Sequence, residues 1–265
     1  MQIENFKFNK KFGQNFISDT NLLKAIVNDS GVTQTDEVLE IGTGAGTLTQ
    51  AISDKTKKVV SYEIDKKLTE FLTEKFCNNK NVKIVMSDIL NLPISQIEKD
   101  FSGGYHIIAN LPYYITTPLI FKFLEQTNKV LSLTIMVQKE VAEKAVAHFG
   151  NKKYGILSVM LQFYCTIKIT RIIKKEMFKP RPKVDSAILK LERKPDIFFE
   201  KEFTHFVKGC FAMKRKTLIN NILKMNFQKQ DIEFVFNKIN ISPLIRAEDL
   251  TVNQIRQIYL ELDKK

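Results

Sequence analysis

Short apolar runs alternate along this chain with segments whose apolar residues recur three and four positions apart. The runs predict buried strands at residues 38–41, 58–64, 82–86, 105–109 and 131–137. The spaced segments predict helices at residues 19–28, from 47 onward, and at 66–76, 118–124 and 138–148. Asp19 stands where an N-cap belongs, and Pro118 fits the first turn of its helix. This alternation predicts a doubly wound, mostly parallel α/β sheet.

A different pattern begins near residue 166. Residues 166–173 and 187–191 predict two closely spaced strands, which we expect to extend one edge of the sheet in antiparallel orientation. Between them lie residues 178–183, in which two prolines disfavour both a helix and a central strand. We therefore predict irregular structure for that segment.

The last quarter of the chain is predicted to be helical. Apolar residues recur at helical spacing in residues 203–212, 215–226, 229–239 and 251–262. Pro195 separates this region from the last predicted strand. The sequence therefore predicts two domains, an α/β domain over residues 1–195 and a small all-helical domain over residues 196–265.

Composition narrows the class of protein. The chain has 265 residues, of which 44% are hydrophobic, so it can bury a substantial core. Its apolar runs are shorter than the roughly 20 residues that cross a bilayer. Residues 1–6 lack the apolar core of a signal peptide. We expect a cytoplasmic protein with no membrane partner.

Three cysteines and three histidines are scattered along the chain without the spacing of a metal or disulfide site. We therefore predict no metal cofactor and no reaction through a covalent cysteine adduct. The formal net charge of +12 favours a nucleic-acid partner, because positive charge is attracted to phosphate backbones of any sequence. A generally lysine-rich composition explains the same charge, so composition leaves both explanations open.

A glycine-rich turn follows the first predicted strand of the sheet. Residues 42–46 have a GxGxG spacing, distinct from the GxGxxG of dinucleotide-binding folds. Gly42 and Gly44 let the backbone approach a ligand closely. Glu63 ends the second strand and Asp88 ends the third. Because parallel strands end at the same edge of a sheet, we expect these groups to meet in one cofactor site.

Each carboxylate suits one part of a nucleoside. Glu63 can accept hydrogen bonds from a ribose diol, and Asp88 can accept from an adenine amino group while Ile89 covers the ring. The order and spacing of these groups resemble the S-adenosylmethionine site of Rossmann-like methyltransferases. That resemblance implies a Rossmann-like S-adenosylmethionine-dependent methyltransferase fold with a mostly parallel sheet.

The fourth predicted strand ends in Asn110-Leu111-Pro112-Tyr113. An adenine N6 lone pair is delocalised into the ring. The side-chain carbonyl of Asn110 and the backbone carbonyl of Leu111 can accept hydrogen bonds from the two N6 hydrogens. These bonds can aim the nitrogen lone pair at a methyl donor. Pro112 stiffens the turn, and Tyr113 can stack on the base. The segment therefore predicts methyl transfer to a base nitrogen, with Asn110 between cofactor and base.

Enzymes that modify a base hold it unstacked in a pocket. We expect Phe178 to form the second face of an aromatic sandwich with Tyr113, the alternative being a core residue among 20 phenylalanines. Arg181 and Lys183 are candidates for contacts to flanking phosphates. Tyr114 is expected to pack rather than to take part in the chemistry.

Several motifs in order resemble the ribosomal RNA adenine N6,N6-dimethyltransferase family. They lie at residues 11–16, 40–44, 110–113, 138–140, 154–158 and 178–187. Residues 214–218, with Asn220 and Asn221, resemble the small-subunit branch of that family, the kasugamycin-sensitivity type. The resemblance implies that S-adenosylmethionine dimethylates two adjacent adenines in the 3′-terminal hairpin of 16S rRNA. It further implies an immature small ribosomal subunit as substrate and a monomeric enzyme.

The same resemblance assigns further residues. It implies that Asn15 and Ile17 line the cofactor pocket, with Ile17 standing where family members usually have leucine. It also implies that Lys214, Arg215 and Lys216, expected on successive positions of a helix, meet rRNA phosphates.

Three alternatives stay open at this point. One is a large-subunit (23S) rRNA adenine methylase of the erythromycin-resistance type, which shares the cofactor chemistry. Another is a non-catalytic RNA-binding assembly factor on the same fold. A third is a methyltransferase for proteins or small molecules, which the net charge and the Tyr113/Phe178 pair disfavour.

Overall fold

The computed structural model describes residues 16–17 and 19–264. The strands are β1 (Phe16–Ile17), β2 (Glu37–Ile41), β3 (Lys58–Glu63), β4 (Val82–Met86), β5 (Tyr105–Asn110), β6 (Val130–Gln138), β7 (Cys165–Ile173), β8 (Phe178–Lys179) and β9 (Ser186–Arg193). The α-helices are α1 (Thr20–Ser30), α2 (Thr47–Ser53), α3 (Thr69–Phe76), α4 (Ile94–Glu98), α5 (Tyr113–Gln126), α6 (Lys139–Ala145), α7 (Ile156–Tyr164), α8 (Lys201–Cys210), α9 (Leu218–Leu223), α10 (Lys229–Lys238) and α11 (Val252–Asp263). Short 3₁₀ turns include Lys66–Leu68 and Ile89–Asn91.

Seven strands form one sheet in the order β4-β3-β2-β5-β6-β9-β7. Strands β2 to β6 pair in parallel, and β9 pairs with β6 in antiparallel orientation. The predicted α/β fold with a mostly parallel sheet is therefore confirmed, as is the antiparallel addition after β6. A second, two-stranded sheet pairs β1 with β8, so that Ile17 lies opposite Phe178.

Residues at the centre of the large sheet are buried on both of its faces, which explains the continuous apolar runs in the sequence. Every residue of β2 is buried, and Val59, Val60, Ile107 and Ile108 in the flanking strands are almost inaccessible to solvent. Burying each such side chain stabilises the fold by roughly 1.5–3 kcal/mol relative to exposure. This core holds the strand ends, and hence the residues that follow them, in fixed positions.

Helix α1 illustrates how local sequence sets an element's limits. The Asp19 side chain accepts hydrogen bonds from the backbone N–H groups of Asn21 and Leu22, at 2.9 and 3.1 Å, as predicted for an N-cap. Gly31 ends the helix with φ of 79°, a left-handed conformation that favours glycine. Between the caps, Leu23, Ile26 and Val27 form the buried stripe.

Helix α5 begins earlier than predicted. Its first residue is Tyr113 and its N-cap is Pro112, so Pro118 lies inside the helix rather than in its first turn. A proline at that position lacks the N–H that would bond to the carbonyl of Tyr114, and its ring crowds the same carbonyl. The early start places the first turn of α5 directly after the Asn110–Pro112 segment.

Three further expectations differ from the structure. Phe178 and Lys179 form strand β8, because the prolines of that segment follow them and leave both residues able to pair. Helix α7 was not predicted from apolar spacing, since its residues are almost continuously apolar. Lys214, Arg215 and Lys216 lie in a turn between α8 and α9, not on a helix. The buried Asn221 side chain holds that turn by accepting from the backbone N–H of Met213 at 2.9 Å.

The chain divides into two compact units. The first contains the residues up to Ala142 together with Lys168–Arg193, and the second contains Glu143–Ile167 and the residues from Lys194 onward. The second unit therefore includes α7, whose Phe163 ring packs 4.6 Å from that of Phe203 in α8. The division predicted after residue 195 differs from these units by residues 143–167 and by residues 194–195.

Candidate active site

A cavity opens at the carboxyl ends of β2, β3, β4 and β5, within the first unit. Its lining includes residues from all four strand ends, namely Gly42, Thr43, Gly44, Glu63, Ile64, Ser87, Asp88, Ile89, Asn110, Leu111 and Pro112. Ile17 lines it from β1. Predicted cofactor residues and the predicted base-binding loop therefore meet in one cavity.

The glycine turn after β2 adopts backbone angles that other residues rarely take. Gly42 has φ of 84° and Gly46 has φ of 70°. A Cβ on Gly42 would lie 3.5 Å from the backbone oxygen of Asn110, so the two segments are neighbours. A Cβ on Gly46 would lie 2.6 Å from Cε2 of Phe76 in α3. The absence of a Cβ at Gly46 therefore allows the turn to pack closely against α3.

Glu63 is buried at the end of β3, with its carboxylate bonded to three backbone N–H groups. Oε2 accepts from Gly44 at 2.7 Å, and Oε1 accepts from Ile64 and Asp65, each at 2.9 Å. A carboxylate offers about four lone-pair sites. Oε2 therefore retains capacity for one more donor, such as a ribose hydroxyl, while the carboxylate itself anchors the glycine turn.

Asp88 follows β4 and caps the 3₁₀ turn after it. Oδ1 accepts from the backbone N–H of Leu90 at 3.0 Å, and Oδ2 accepts from Nδ2 of Asn91 at 2.8 Å. Ile89 is buried beside it and lines the cavity. The pair presents an acceptor and an apolar surface to the same space, as an adenine ring with its amino group requires.

A carboxyl group not predicted as functional lies beneath the glycine turn. Glu40 is fully buried, and Oε2 accepts from the hydroxyls of Thr49 and Ser61, both at 2.6 Å. Its Oε1 has no hydrogen-bond partner among the described residues. Burial raises the pKa of Glu40 to about 8, although the two hydroxyl bonds act in the opposite direction. Ser61 also lies 2.6 Å from Oγ1 of Thr43, so this network supports the turn from below.

The loop after β5 divides its two tyrosines between different surroundings. The Tyr113 hydroxyl lies 2.8 Å from Oγ of Ser186 at the start of β9, which ties the loop to the sheet. Tyr114 is 67% exposed and lines the cavity, contrary to the expectation that it packs. The sequence could not predict this exposure, because two adjacent tyrosines give no indication of which ring faces solvent.

Phe178 is buried in β8, within a core cluster that also contains Ile17 and Ile188. Its stacking on a base stays a prediction. Arg181 and Lys183 are exposed on the following loop, where Arg181 forms an ion pair with Glu176. Asn15 lies outside the described residues.

The predicted RNA-binding residues of the second unit, Lys214, Arg215 and Lys216, are all exposed. Within residues 16–17 and 19–264, His, Cys, Asp and Glu side chains form no group of three or more that could hold a metal ion. None of the helices described combines the length and the apolar character needed to cross a membrane.

Comparisons with known proteins identify the family of the chain. A family model described as ribosomal RNA adenine dimethylase matches residues 5–264. The chain is 43% identical over 258 residues to ribosomal RNA small subunit methyltransferase A of Caldanaerobacter subterraneus subsp. tengcongensis, covering 95% of this chain and 96% of the relative.

Two solved structures are similar over nearly the whole chain. A dimethyladenosine transferase from Plasmodium falciparum has a TM-score of 0.83 at 26% identity, covering 94% of this chain and 98% of that one. The 23S rRNA methyltransferase ErmE has a TM-score of 0.73 at 25% identity, covering 94% and 99%. With the family model matching almost every residue, the chain belongs to the ribosomal RNA adenine dimethylase family and is an enzyme.

Proposed function

We propose that this enzyme transfers methyl groups from S-adenosylmethionine to the N6 amino groups of two adjacent adenines in the 3′-terminal hairpin of 16S rRNA. Its substrate is an immature small ribosomal subunit, and it acts as a monomer in the cytoplasm. One observation carries the proposal: Asn110 lines the same cavity as Gly42, Glu63 and Asp88. An acceptor for a base amino group thus stands beside acceptors for a nucleoside.

The cavity fits S-adenosylmethionine in its chemistry. Gly42 exposes backbone without a Cβ, and Glu63 has acceptor capacity left on Oε2. Asp88 and Ile89 suit the adenine amino group and ring. The bound cofactor supplies an electrophilic methyl group on a sulfonium, which becomes a neutral thioether after transfer.

The loop after β5 positions the acceptor base. We infer that Oδ1 of Asn110 and the carbonyl of Leu111 accept the N6 hydrogens, which localises the nitrogen lone pair and aims it along the line of transfer. Pro112 limits the loop's freedom at the N-terminus of α5. Most of the rate enhancement then comes from alignment and from a preorganised polar site. The proton displaced from N6 leaves to water.

The small-subunit assignment rests on two observations. The relative of 43% identity is named a small subunit methyltransferase. The TM-score is higher with the dimethyladenosine transferase, at 0.83, than with the 23S rRNA methyltransferase, at 0.73. The net charge of +12 supports a nucleic-acid substrate.

The test is transfer of labelled methyl groups to small subunits that lack the modification, followed by mapping of the modified nucleosides. We expect four methyl groups per subunit on two neighbouring adenines of 16S rRNA. Asn110→Ala is expected to lower the rate of transfer by about 100-fold or more, with S-adenosylmethionine affinity largely retained. Label in 23S rRNA instead would support the large-subunit alternative. Rates near the parent's in the variant would remove Asn110 from the mechanism.

A further inference from the structure

Lys122 makes three hydrogen bonds to a single short segment of backbone. Its Nζ donates to the carbonyl oxygens of Ile89, Leu90 and Leu92 at 2.9, 2.7 and 2.6 Å. An ammonium group has three donors, so all of them are used here. Lys122 is partly buried on α5, where these bonds replace those it would make with water.

The segment that Lys122 holds is the one that lines the adenine end of the cavity. Ser87, Asp88, Ile89 and Leu90 all line it. Asp88 caps the 3₁₀ turn Ile89–Asn91 from its N-terminal side. Lys122 binds the same turn from its other end, through the carbonyls of Ile89 and Leu90 and that of Leu92, which follows the turn. The Ile89 carbonyl also accepts from the backbone N–H of Leu92 at 3.4 Å.

Lys122 also interacts electrostatically with Asp88, at the start of this turn. Burial lowers the pKa of Lys122, and the negative charge of Asp88 opposes that shift. The ammonium therefore lies within electrostatic reach of the carboxylate assigned to the adenine amino group. Without Lys122, all three carbonyls would lose the ammonium donor, and Asp88 would lose the positive charge that acts on it. The Ile89 carbonyl would keep only the backbone N–H of Leu92.

Helix α5 links this turn to the base-binding loop. The helix begins at Tyr113, directly after Asn110–Pro112, and Tyr114 and Ile115 in its first turn line the cavity. Lys122 lies about two turns further along the same helix. One helix thus carries both the end of the base-binding loop and the clamp on the adenine-binding turn.

We propose that Lys122 is a positioning residue that fixes the Asp88–Ile89 turn for recognition of the adenine ring of the methyl donor. This inference rests on the proposed function, because it assumes S-adenosylmethionine in the cavity. We assign Lys122 no direct contact with the cofactor. It acts through the backbone that presents Asp88 and Ile89.

The experiment compares binding of S-adenosylhomocysteine with binding of S-inosylhomocysteine, in which an oxygen replaces the adenine amino group. Lys122→Met keeps an unbranched side chain, shorter by one heavy atom, and removes its donors. We expect the affinity for the adenine ligand to fall about tenfold, and the affinity for the hypoxanthine ligand to fall less than threefold. For methyl transfer, the KM for S-adenosylmethionine should rise while kcat at saturating cofactor stays within threefold of the parent.

Hydrogen exchange supplies a second readout on the full-length protein. Amides of residues 89–92 should exchange faster in Lys122→Met than in the parent, with amides of β2 and β5 unchanged. Lys194→Met is the matched control, because Lys194 also donates from Nζ to a carbonyl, that of Gln162 at 2.7 Å, in the second unit. It should alter neither the ligand preference nor the exchange of residues 89–92.

Equal losses for both ligands, or unchanged affinities in a variant of lowered thermal stability, would overturn the proposal and leave Lys122 a purely structural residue. If Lys122→Met does not fold, Lys122→Arg decides the question. The arginine keeps the charge but cannot converge on three carbonyls, so the preference for the adenine ligand should fall between threefold and tenfold. A parent-like preference in Lys122→Arg would overturn the proposal. Failure of the parent protein to bind either ligand would instead overturn the proposed function, and this inference with it.

Discussion

The hydroxyl of Tyr113 lies 2.8 Å from the hydroxyl of Ser186, joining the first residue of α5 to the first residue of β9 across 73 positions of sequence. Ser186 is fully buried and pairs with Gln138 at the end of β6. The bond therefore fixes the orientation of the tyrosine ring against the rigid sheet. That the ring stacks on a base stays a prediction, and this restraint is the feature through which we test it.

Tyr113→Phe should keep the ring and lose this restraint. We expect methyl transfer to fall about three- to tenfold, in line with a net hydrogen bond of roughly 0.5–1.5 kcal/mol, with S-adenosylmethionine affinity unchanged. Single-turnover rates would measure this. Ser186→Ala should cause a similar loss, and the double variant should be no slower than either single one. Additive losses would mean that the two hydroxyls act independently.

Glu40 predicts a pH dependence of stability. Burial raises its pKa from 4.5 to about 8 in the folded protein. The folded state therefore binds more protons than the unfolded state between those values, and the free energy of unfolding falls as pH rises through that window. The slope contributed by Glu40 is at most roughly 1.4 kcal/mol per pH unit.

Glu40→Gln should remove this slope, as urea unfolding at pH 5, 6, 7 and 8 would reveal. The test depends on how the free energy of unfolding changes with pH and not on its absolute value, because the amide also disturbs the hydrogen bonds from Thr49 and Ser61. Glu63 and Lys75 are the charged groups that act on Glu40 electrostatically, and both persist in the variant. The exposed Glu74→Gln is the control for loss of one carboxylate. A Glu40→Gln profile parallel to the parent's would mean that Glu40 is charged throughout.

The meeting of the cofactor groups could be predicted from sequence, because it follows from a general property of parallel sheets. Gly42, Glu63, Asp88 and Asn110 each come at the end of a strand, and the carboxyl ends of parallel strands share one edge. The predicted strands were therefore sufficient to predict that these four residues line one cavity.

The contacts that orient those groups could not be predicted in the same way. Lys122 bonds to carbonyls about thirty positions earlier, and nothing in local spacing reveals which backbone a lysine will meet. The turn at Lys214–Lys216 was equally hidden, because it depends on a side-chain bond from Asn221 to the backbone of Met213. Propensity suggests a helix there, and a tertiary hydrogen bond decides otherwise.

Gly46 is predicted to be irreplaceable for steric reasons. Its φ is 70°, and an added Cβ would lie 2.6 Å from the ring of Phe76. Gly46→Ala should therefore lower the free energy of unfolding by roughly 1–3 kcal/mol and weaken S-adenosylmethionine binding. Gly103→Ala is the matched control, since a Cβ there would meet nothing within 4 Å. Equal stability of the two variants in thermal unfolding would show that the turn relaxes.

Lys214 and Arg215 test whether the second unit binds RNA through phosphates. Both are exposed in the turn between α8 and α9, where side chains can project together without the spread that a helix imposes. Each phosphate contact contributes roughly 0.7–0.9 to the slope of log affinity against log salt. Lys214→Ala with Arg215→Ala should therefore weaken rRNA binding and reduce that slope by about 1.5. Lys80→Ala with Lys99→Ala removes the same charge from exposed positions of the first unit and should leave the slope nearly unchanged. Because both double variants alter the net charge equally, a difference between their salt slopes separates direct phosphate contact from general electrostatic attraction. Equal slopes would show that Lys214 and Arg215 are solvated and do not contact the RNA.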